Sequence, residues 1–149
     1  MIIAIGNDHH GFAQKEIIKE QFFLPNQTVE WDDVGSFTQE RVDYPHYAIE
    51  VARTVQEGRA DYGILLCGTG VGMAIAANRF KGIYAAVAWS VELARKSKED
   101  DNANILVFPS NFVQNTEVVP MVNAWIAAQF KEGRYRERLD MIDILGGVL

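Results

Sequence analysis

The sequence predicts a three-layer, Rossmann-like α/β fold: a five-stranded parallel sheet in the order 2-1-3-4-5 with helices on both faces. Three observations predict it. Five short apolar runs recur along the 149 residues, each is followed by a segment with helical patterning, and glycine, proline or polar clusters separate them. A strand that leads through a helix to the next strand of the same sheet is a parallel crossover. Strands covered on both faces are apolar throughout rather than alternating, as several of these runs are.

The elements follow in order. Met1 to Gly6 is an apolar run ending in Asn7-Asp8-His9-His10-Gly11, which is too polar for a core. From Phe12 to Leu24, apolar residues at 13, 17, 18, 22 and 24 approximate a helical stripe, which Pro25-Asn26 breaks. Val29 to Val34 roughly alternates apolar and acidic residues, as an edge strand does, and ends at Gly35. Asp43-Tyr44-Pro45 opens a second helix, with proline near the first turn where its missing N–H costs little, and Gly58 caps its end. Asp61 to Cys67 is the third strand and Val71 to Arg79 the third helix. Ile83 to Trp89 is the fourth strand, and Ser90 is the N-cap of a helix that ends in Lys98-Glu99-Asp100-Asp101-Asn102. Asn104 to Phe108 is the fifth strand, closed by Pro109. Thr116 to Phe130 and Arg134 to Leu145 read as two helices divided by Gly133. Residues 1–149 are thus expected to form a single domain, with the C-terminal helices (about 116–145) completing the fold.

A composition 48% apolar and 23% charged is that of an ordinary globular domain. Lys plus Arg number 14 against 20 for Asp plus Glu, a net charge of −6, which argues against nucleic acid as a partner but leaves room for a small basic pocket. No apolar run approaches the ~20 residues of a membrane span, so no membrane partner is expected. Met1-Ile2-Ile3-Ala4-Ile5 lacks the basic region and cleavage site of a signal peptide, and the expected location is cytoplasmic. One cysteine cannot form an internal disulfide, so Cys67 is either a small core residue or a reactive thiol.

Chemistry concentrates where the third strand meets its helix. Cys67 is followed by Gly68-Thr69-Gly70-Val71-Gly72, and open α/β sheets bind ligands at such strand ends, where loop N–H groups and a helix start favour negative charge. A thiol there is expected to have a lowered pKa and to serve as base or nucleophile. The glycines would also suit any tight turn. Met73 stands where a dinucleotide fingerprint has its third glycine, and no Lys-Ser/Thr pair marks a triphosphate loop. What remains is a short cradle for phosphate or for an oxyanion formed in a reaction. Adjacent first and third strands put Asp8 and His9 beside it, although Asp8 could also be only a helix cap. His9 and His10 are expected to point in different directions, and no His-Glu-x-x-His pattern occurs, so neither metal nor cofactor is expected. Arg134 and Arg138, four apart, share a helix face that is either solvated or a fork for phosphate.

Asn-Asp-His-His-Gly-Phe at 7–12, Asp-Tyr-Pro-His-Tyr-Ala at 43–48, Cys-Gly-Thr-Gly-Val-Gly at 67–72 and Gly-Arg-Tyr-Arg-Glu-Arg at 133–138 are four separated segments. Together they closely resemble the ribose-5-phosphate isomerase B family, which also holds galactose-6-phosphate and allose-6-phosphate isomerases. The resemblance implies a homodimer with active sites shared between subunits, leaving a dimer of dimers open. It also implies metal-free aldose–ketose isomerisation of a sugar phosphate through an enediolate. Cys67 matches the family's base, while Thr69 and the loop N–H groups of Gly68, Gly70, Val71 and Gly72 match the groups that hold the oxyanion. Asp8 and His9 match sugar-ring and phosphate contacts, and Arg134 and Arg138 match phosphate ligands.

One region departs from the family pattern. Asp100-Asp101 stand where the family usually reads His-Asn, its histidine being the group that opens the sugar ring, and Asn111 aligns with a phosphate-binding arginine. These changes remove positive charge and add two acids, which beside a phosphate dianion weakens binding unless partners neutralise them. Three readings follow. Ribose 5-phosphate is the substrate and Asp100 serves as a poorer acid–base for ring opening, with Asp101 and Asn111 beside the sugar. Alternatively the substrate is a different sugar or sugar phosphate, such as a four-carbon one too short to close a ring. The third is a binding relative without turnover, against which the intact Cys67, Thr69 and both arginines argue.

Overall fold

Strands and helices alternate in the computed structural model, which describes residues 1–146. The strands are β1 (Ile2–Asn7), β2 (Glu30–Gly35), β3 (Tyr62–Cys67), β4 (Ala85–Val87) and β5 (Ile105–Pro109). The helices are α1 (Phe12–Gln21), α2 (Tyr44–Gln56), α3 (Val71–Ala77), α4 (Val91–Asp101), α5 (Val118–Ala127) and α6 (Arg134–Gly146). Every strand pair is parallel, as the crossover pattern predicts. None of these helices is long and apolar enough to cross a membrane.

The sheet order is β2-β1-β3-β5-β4, which corrects the expected 2-1-3-4-5 at one edge. β5, Ile-Leu-Val-Phe-Pro, is buried along its whole length and pairs with β3 on one side and β4 on the other. β4 holds only three half-buried residues, fewer than the run from Ile83 to Trp89 suggests, and a short strand belongs at an edge. The helices are also trimmed: α1 stops at Gln21, α3 at Ala77, and α5 spans Val118–Ala127 rather than 116–130.

Side-chain alternation sorts the core onto two faces of the sheet. Ile64 and Leu66 of β3 join Ile3, Ile18 and Trp125 on one face, while Leu65 and Cys67 join Val51 and Met73 on the other. Cys67 therefore turns toward the α2–α3 layer. A buried charge cluster braces the first crossover near the same C-terminal edge of the sheet. Lys15 of α1 is fully buried, and its ammonium donates to Asp33 at 3.0 Å and to the Ser36 carbonyl at 2.7 Å.

Three loops are then stitched together at the C-terminal edge of the sheet. Asn7 pairs with Leu66, so the Asp8 N–H donates to the Leu66 carbonyl at 3.0 Å. Cys67 pairs with Pro109, and the N–H groups of Ser110 and Asn111 donate to the carbonyls of Cys67 (2.8 Å) and Gly68 (3.0 Å). Gly11 makes the closest approach. A Cβ there would lie 2.4 Å from the Leu66 Cβ and 2.7 Å from its carbonyl oxygen, so only glycine lets the β1 loop reach β3.

Candidate active site

Cys67 is the last residue of β3 and is 4% exposed. Its Sγ accepts a hydrogen bond from the Gly70 N–H at 3.1 Å. Gly70 has φ +74°, and a Cβ there would crowd Val87 Cγ1 at 3.1 Å, so the turn that aims this N–H at the thiol needs glycine. Thr69 is exposed at the tip, and its Oγ1 accepts from the Val71 N–H at 3.4 Å. Burial pushes the Cys67 thiol up, and the Asp8 carboxylate adds to this against the pull of backbone N–H groups from Gly70, Met73 and Thr69. The expected lowering is thus corrected, because desolvation outweighs the donors at the start of a seven-residue helix. Such a thiol is ionised less often but is a stronger base once ionised.

Asp8 is 6% exposed, and its Oδ1 accepts from the N–H groups of His10 (2.8 Å) and Gly11 (3.3 Å). These donors belong to the turn ahead of α1, whose N-cap Gly11 has no side-chain cap, so the helix-cap reading of Asp8 is corrected to a turn brace, and Oδ2 is left for other work. His9 and His10 do not point apart: their ring centroids are 4.2 Å apart at a 39° tilt. His9 Nδ1 accepts from the Val42 N–H at 3.5 Å, whereas the His10 ring reaches over Gly68. Ligand atoms of Asp8, His9 and His10 lie within 4.8 Å of one another, so these are residues that can approach one cation, with Asp8 Oδ1 already committed to two backbone donors.

Asn111 belongs to this cluster, since a Cβ on Gly68 would lie 2.9 Å from Asn111 Nδ2 and 3.3 Å from His10 Cδ2. Tyr44 is a neighbour that sequence reasoning left without a role: a Cβ on Gly72 would lie 2.5 Å from its Cζ. An apolar groove of about 640 Å³ borders the loop, lined by Thr69, Val71, Val87, Trp89, Pro109 and Phe112. Val71, Trp89 and Phe112 are 55%, 60% and 71% exposed in it. His10, Trp89 and Phe112 were likewise not assigned from sequence.

Four expected site residues are not brought to this edge. Ser90, whose Oγ accepts from the Leu93 N–H at 3.1 Å, starts α4 just past β4 at the C-terminal edge. Eleven residues later, about 16 Å along the axis, Asp100 and Asp101 arrive beside the N-terminal ends of β4 and β5. There Lys131 donates to Asp100 Oδ1 at 2.5 Å, and Arg134 and Arg138 flank the Tyr135 ring at 5.1 and 5.5 Å. The Lys131 hydrogen bond holds the Asp100 carboxyl below its ordinary range. Burial and Asp100 push Asp101 up, with Arg138 opposing. Within one chain, then, the Cys67 group (Asp8, His9, the 68–72 loop, Asn111) and the Asp100 group (Asp101, Arg134, Arg138) occupy opposite ends of the sheet.

Comparison with known proteins converges on one group. The ribose/galactose isomerase family model matches residues 3–142. Ribose-5-phosphate isomerase B of Escherichia coli K12 is 44% identical over 140 residues, covering 94% of this chain and 93% of its own. The structure of Clostridium thermocellum ribose-5-phosphate isomerase B superposes with a TM-score of 0.91 at 39% identity, covering 97% of both chains. The Mycoplasma genitalium enzyme with bound ribulose 5-phosphate does so with a TM-score of 0.89 at 38% identity, covering 97% of this chain and 95% of that one.

Proposed function

The chain belongs to the ribose/galactose isomerase family, and from that premise we propose that it is an aldose–ketose isomerase of a sugar phosphate, converting ribose 5-phosphate to ribulose 5-phosphate. The observation that carries this is the Cys67 thiol, held by the Gly70 N–H under a glycine loop and beside the Asp8 turn. In the open-chain aldose, ionised Cys67 removes the proton from C2. Charge moves onto the carbonyl oxygen, where Thr69 and the N–H groups of the 68–72 loop hold the enediolate. The hydroxyl proton then passes from O2 to O1, O2 becomes the new carbonyl oxygen, and returning the carbon-bound proton to C1 completes the ketose. Preorganised donors at a developing oxyanion are worth about 10²–10³ in rate each. Hydrogen moves within one molecule, so the step itself calls for no redox cofactor.

The phosphate is assigned to His9 and to Arg134 and Arg138, and the opposite placement of the two groups supports a homodimer. Each site then takes Cys67 from one subunit and Arg134 and Arg138 of the partner subunit. Two exposed apolar surfaces support the same reading: Val71, Trp89 and Phe112 beside the loop, and Met141, Ile142, Ile144 and Leu145 on α6. The cytoplasm suits such an enzyme.

A second reading keeps the chemistry and changes the sugar. Neutral Asn111 lies over Gly68, and Asp100 and Asp101 sit beside the arginines, which favours a four- or six-carbon sugar phosphate. Turnover of phosphorylated and free aldoses of four to six carbons decides. The proposal expects phosphorylated substrates to turn over, ribose 5-phosphate fastest. Preference for another sugar phosphate favours the second reading, and turnover of none leaves a binding protein.

A further inference from the structure

We infer that His10 is the group that opens the sugar ring, transferring a proton between the anomeric hydroxyl and the ring oxygen. This rests on the isomerase reading, because a base at C2 acts only on the open-chain aldose, whereas a pentose 5-phosphate closes into a furanose. In that ring the ring oxygen is bonded to C1 itself, one bond from the carbon next to the reacting proton. The group that opens the ring must therefore lie on the same side of the site as Cys67, within a few ångström of it.

Among the titratable side chains around this site, His10 meets that requirement best. Its ring lies against Gly68, the residue after Cys67, with Cδ2 and Cγ 3.3 and 3.5 Å from where a Gly68 Cβ would stand. It is exposed, and among the described residues its hydrogen bonding is confined to the backbone N–H held by Asp8 Oδ1 at 2.8 Å. Both ring nitrogens are thus left to a ligand. His9 is half-buried with Nδ1 turned to the Val42 N–H, and Asp8 spends Oδ1 on two backbone donors. Asp100 of the same chain is at the other end of the sheet, and the partner subunit's Asp100, which the proposed dimer brings in with Arg134 and Arg138, is already engaged by Lys131 at 2.5 Å.

The step balances on an imidazole. The anomeric hydroxyl gives its proton to one ring nitrogen, and the electron pair left on that oxygen becomes the C1 carbonyl. The bond from C1 to the ring oxygen breaks, and that oxygen takes the proton from the other ring nitrogen. A neutral imidazole offers one acceptor and one donor, so His10 changes tautomer but not charge. Asn111 Nδ2, also over Gly68, is placed to donate to a sugar oxygen beside it.

The test separates ring opening from isomerisation. In full-length protein carrying C67A, which removes the base for C2, exchange between the α- and β-furanose forms of ribose 5-phosphate is followed by saturation-transfer NMR. C67A protein is expected to accelerate this exchange over buffer, and C67A with H10N to lose about 10²-fold of that acceleration, the usual worth of one acid–base group. Three results overturn the inference: no acceleration by C67A protein, unchanged acceleration with H10N, or loss on adding D100N while H10N is without effect. Isomerisation by the unmodified protein is read separately, so failure of the isomerase reading appears there instead.

Discussion

Replacing Asp33 with asparagine should cost more stability than replacing Lys15 with methionine, although the two residues are partners in one ion pair. The asymmetry comes from what each leaves behind. Lys15 is fully buried, and among the described residues its ammonium meets Asp33 at 3.0 Å, the Ser36 carbonyl at 2.7 Å, Glu16 at 3.9 Å and the faces of Phe37 and Phe12 at 4.9 and 5.6 Å. Asp33 also receives Lys19 at 2.6 Å and the Gly35 N–H at 2.9 Å, so losing Lys15 leaves it paired. Lys15→Met then costs chiefly the donor to the Ser36 carbonyl, about 1–3 kcal/mol, with the thioether filling the space. Asp33→Asn strands a buried ammonium, at about 3–5 kcal/mol. Urea unfolding at fixed protein concentration measures both, since association shifts apparent stability. A Lys15→Met loss equal to or larger than that of Asp33→Asn would refute the reasoning. The pH dependence has a definite sign. Burial raises the Asp33 carboxyl, but hydrogen bonds from Lys19, Gly35 and Lys15 outweigh it and hold its pKa below the ordinary value near 4. Its contribution is therefore full above about pH 4 and is lost as pH falls through the lower folded value. In Asp33→Asn that part of the acid-side slope should vanish.

Two further predictions concern how the site is assembled. Gly11→Ala drives a Cβ to 2.4 Å from Leu66, so it should destabilise by about 1–3 kcal/mol or more and depress turnover by lifting the Asp8–His10 turn away from Cys67; a melting temperature and turnover equal to those of the parent would contradict this. Cys67→Ala and Arg134→Ala proteins, each inactive or weakened alone, should recover about a quarter of parental activity when unfolded together and refolded at equal amounts, because half of the proposed dimers would be mixed and one of their two sites would be intact. No recovery would mean that both residues act within one chain.

The strands and most helices were legible because each apolar run is long enough to show its pattern. The order of the last two strands was not, since Ile83 to Trp89 looks as apolar as Asn104 to Phe108, and only pairing reveals that β4 keeps three residues. At the site, Cys67 and its glycines were visible as a contiguous motif, and Asp8 followed from adjacency of β1 and β3. His10 over Gly68 and Tyr44 over Gly72 were not visible, because each contact joins loops distant in sequence. Val71, Trp89 and Phe112 read singly as scattered apolar residues and become a surface only when three strand ends meet. The thiol's direction of shift was missed for a physical reason: a helix start is apparent in sequence, whereas the depth of burial that opposes it is not.

The central claim, that Cys67 moves the proton of an aldose–ketose isomerisation, is tested most directly by solvent deuterium exchange at C2 of ribose 5-phosphate with the parent protein and Cys67→Ala. The parent should exchange or isomerise the sugar, and a folded Cys67→Ala should show neither above buffer. Exchange by Cys67→Ala at the parental rate would contradict the account.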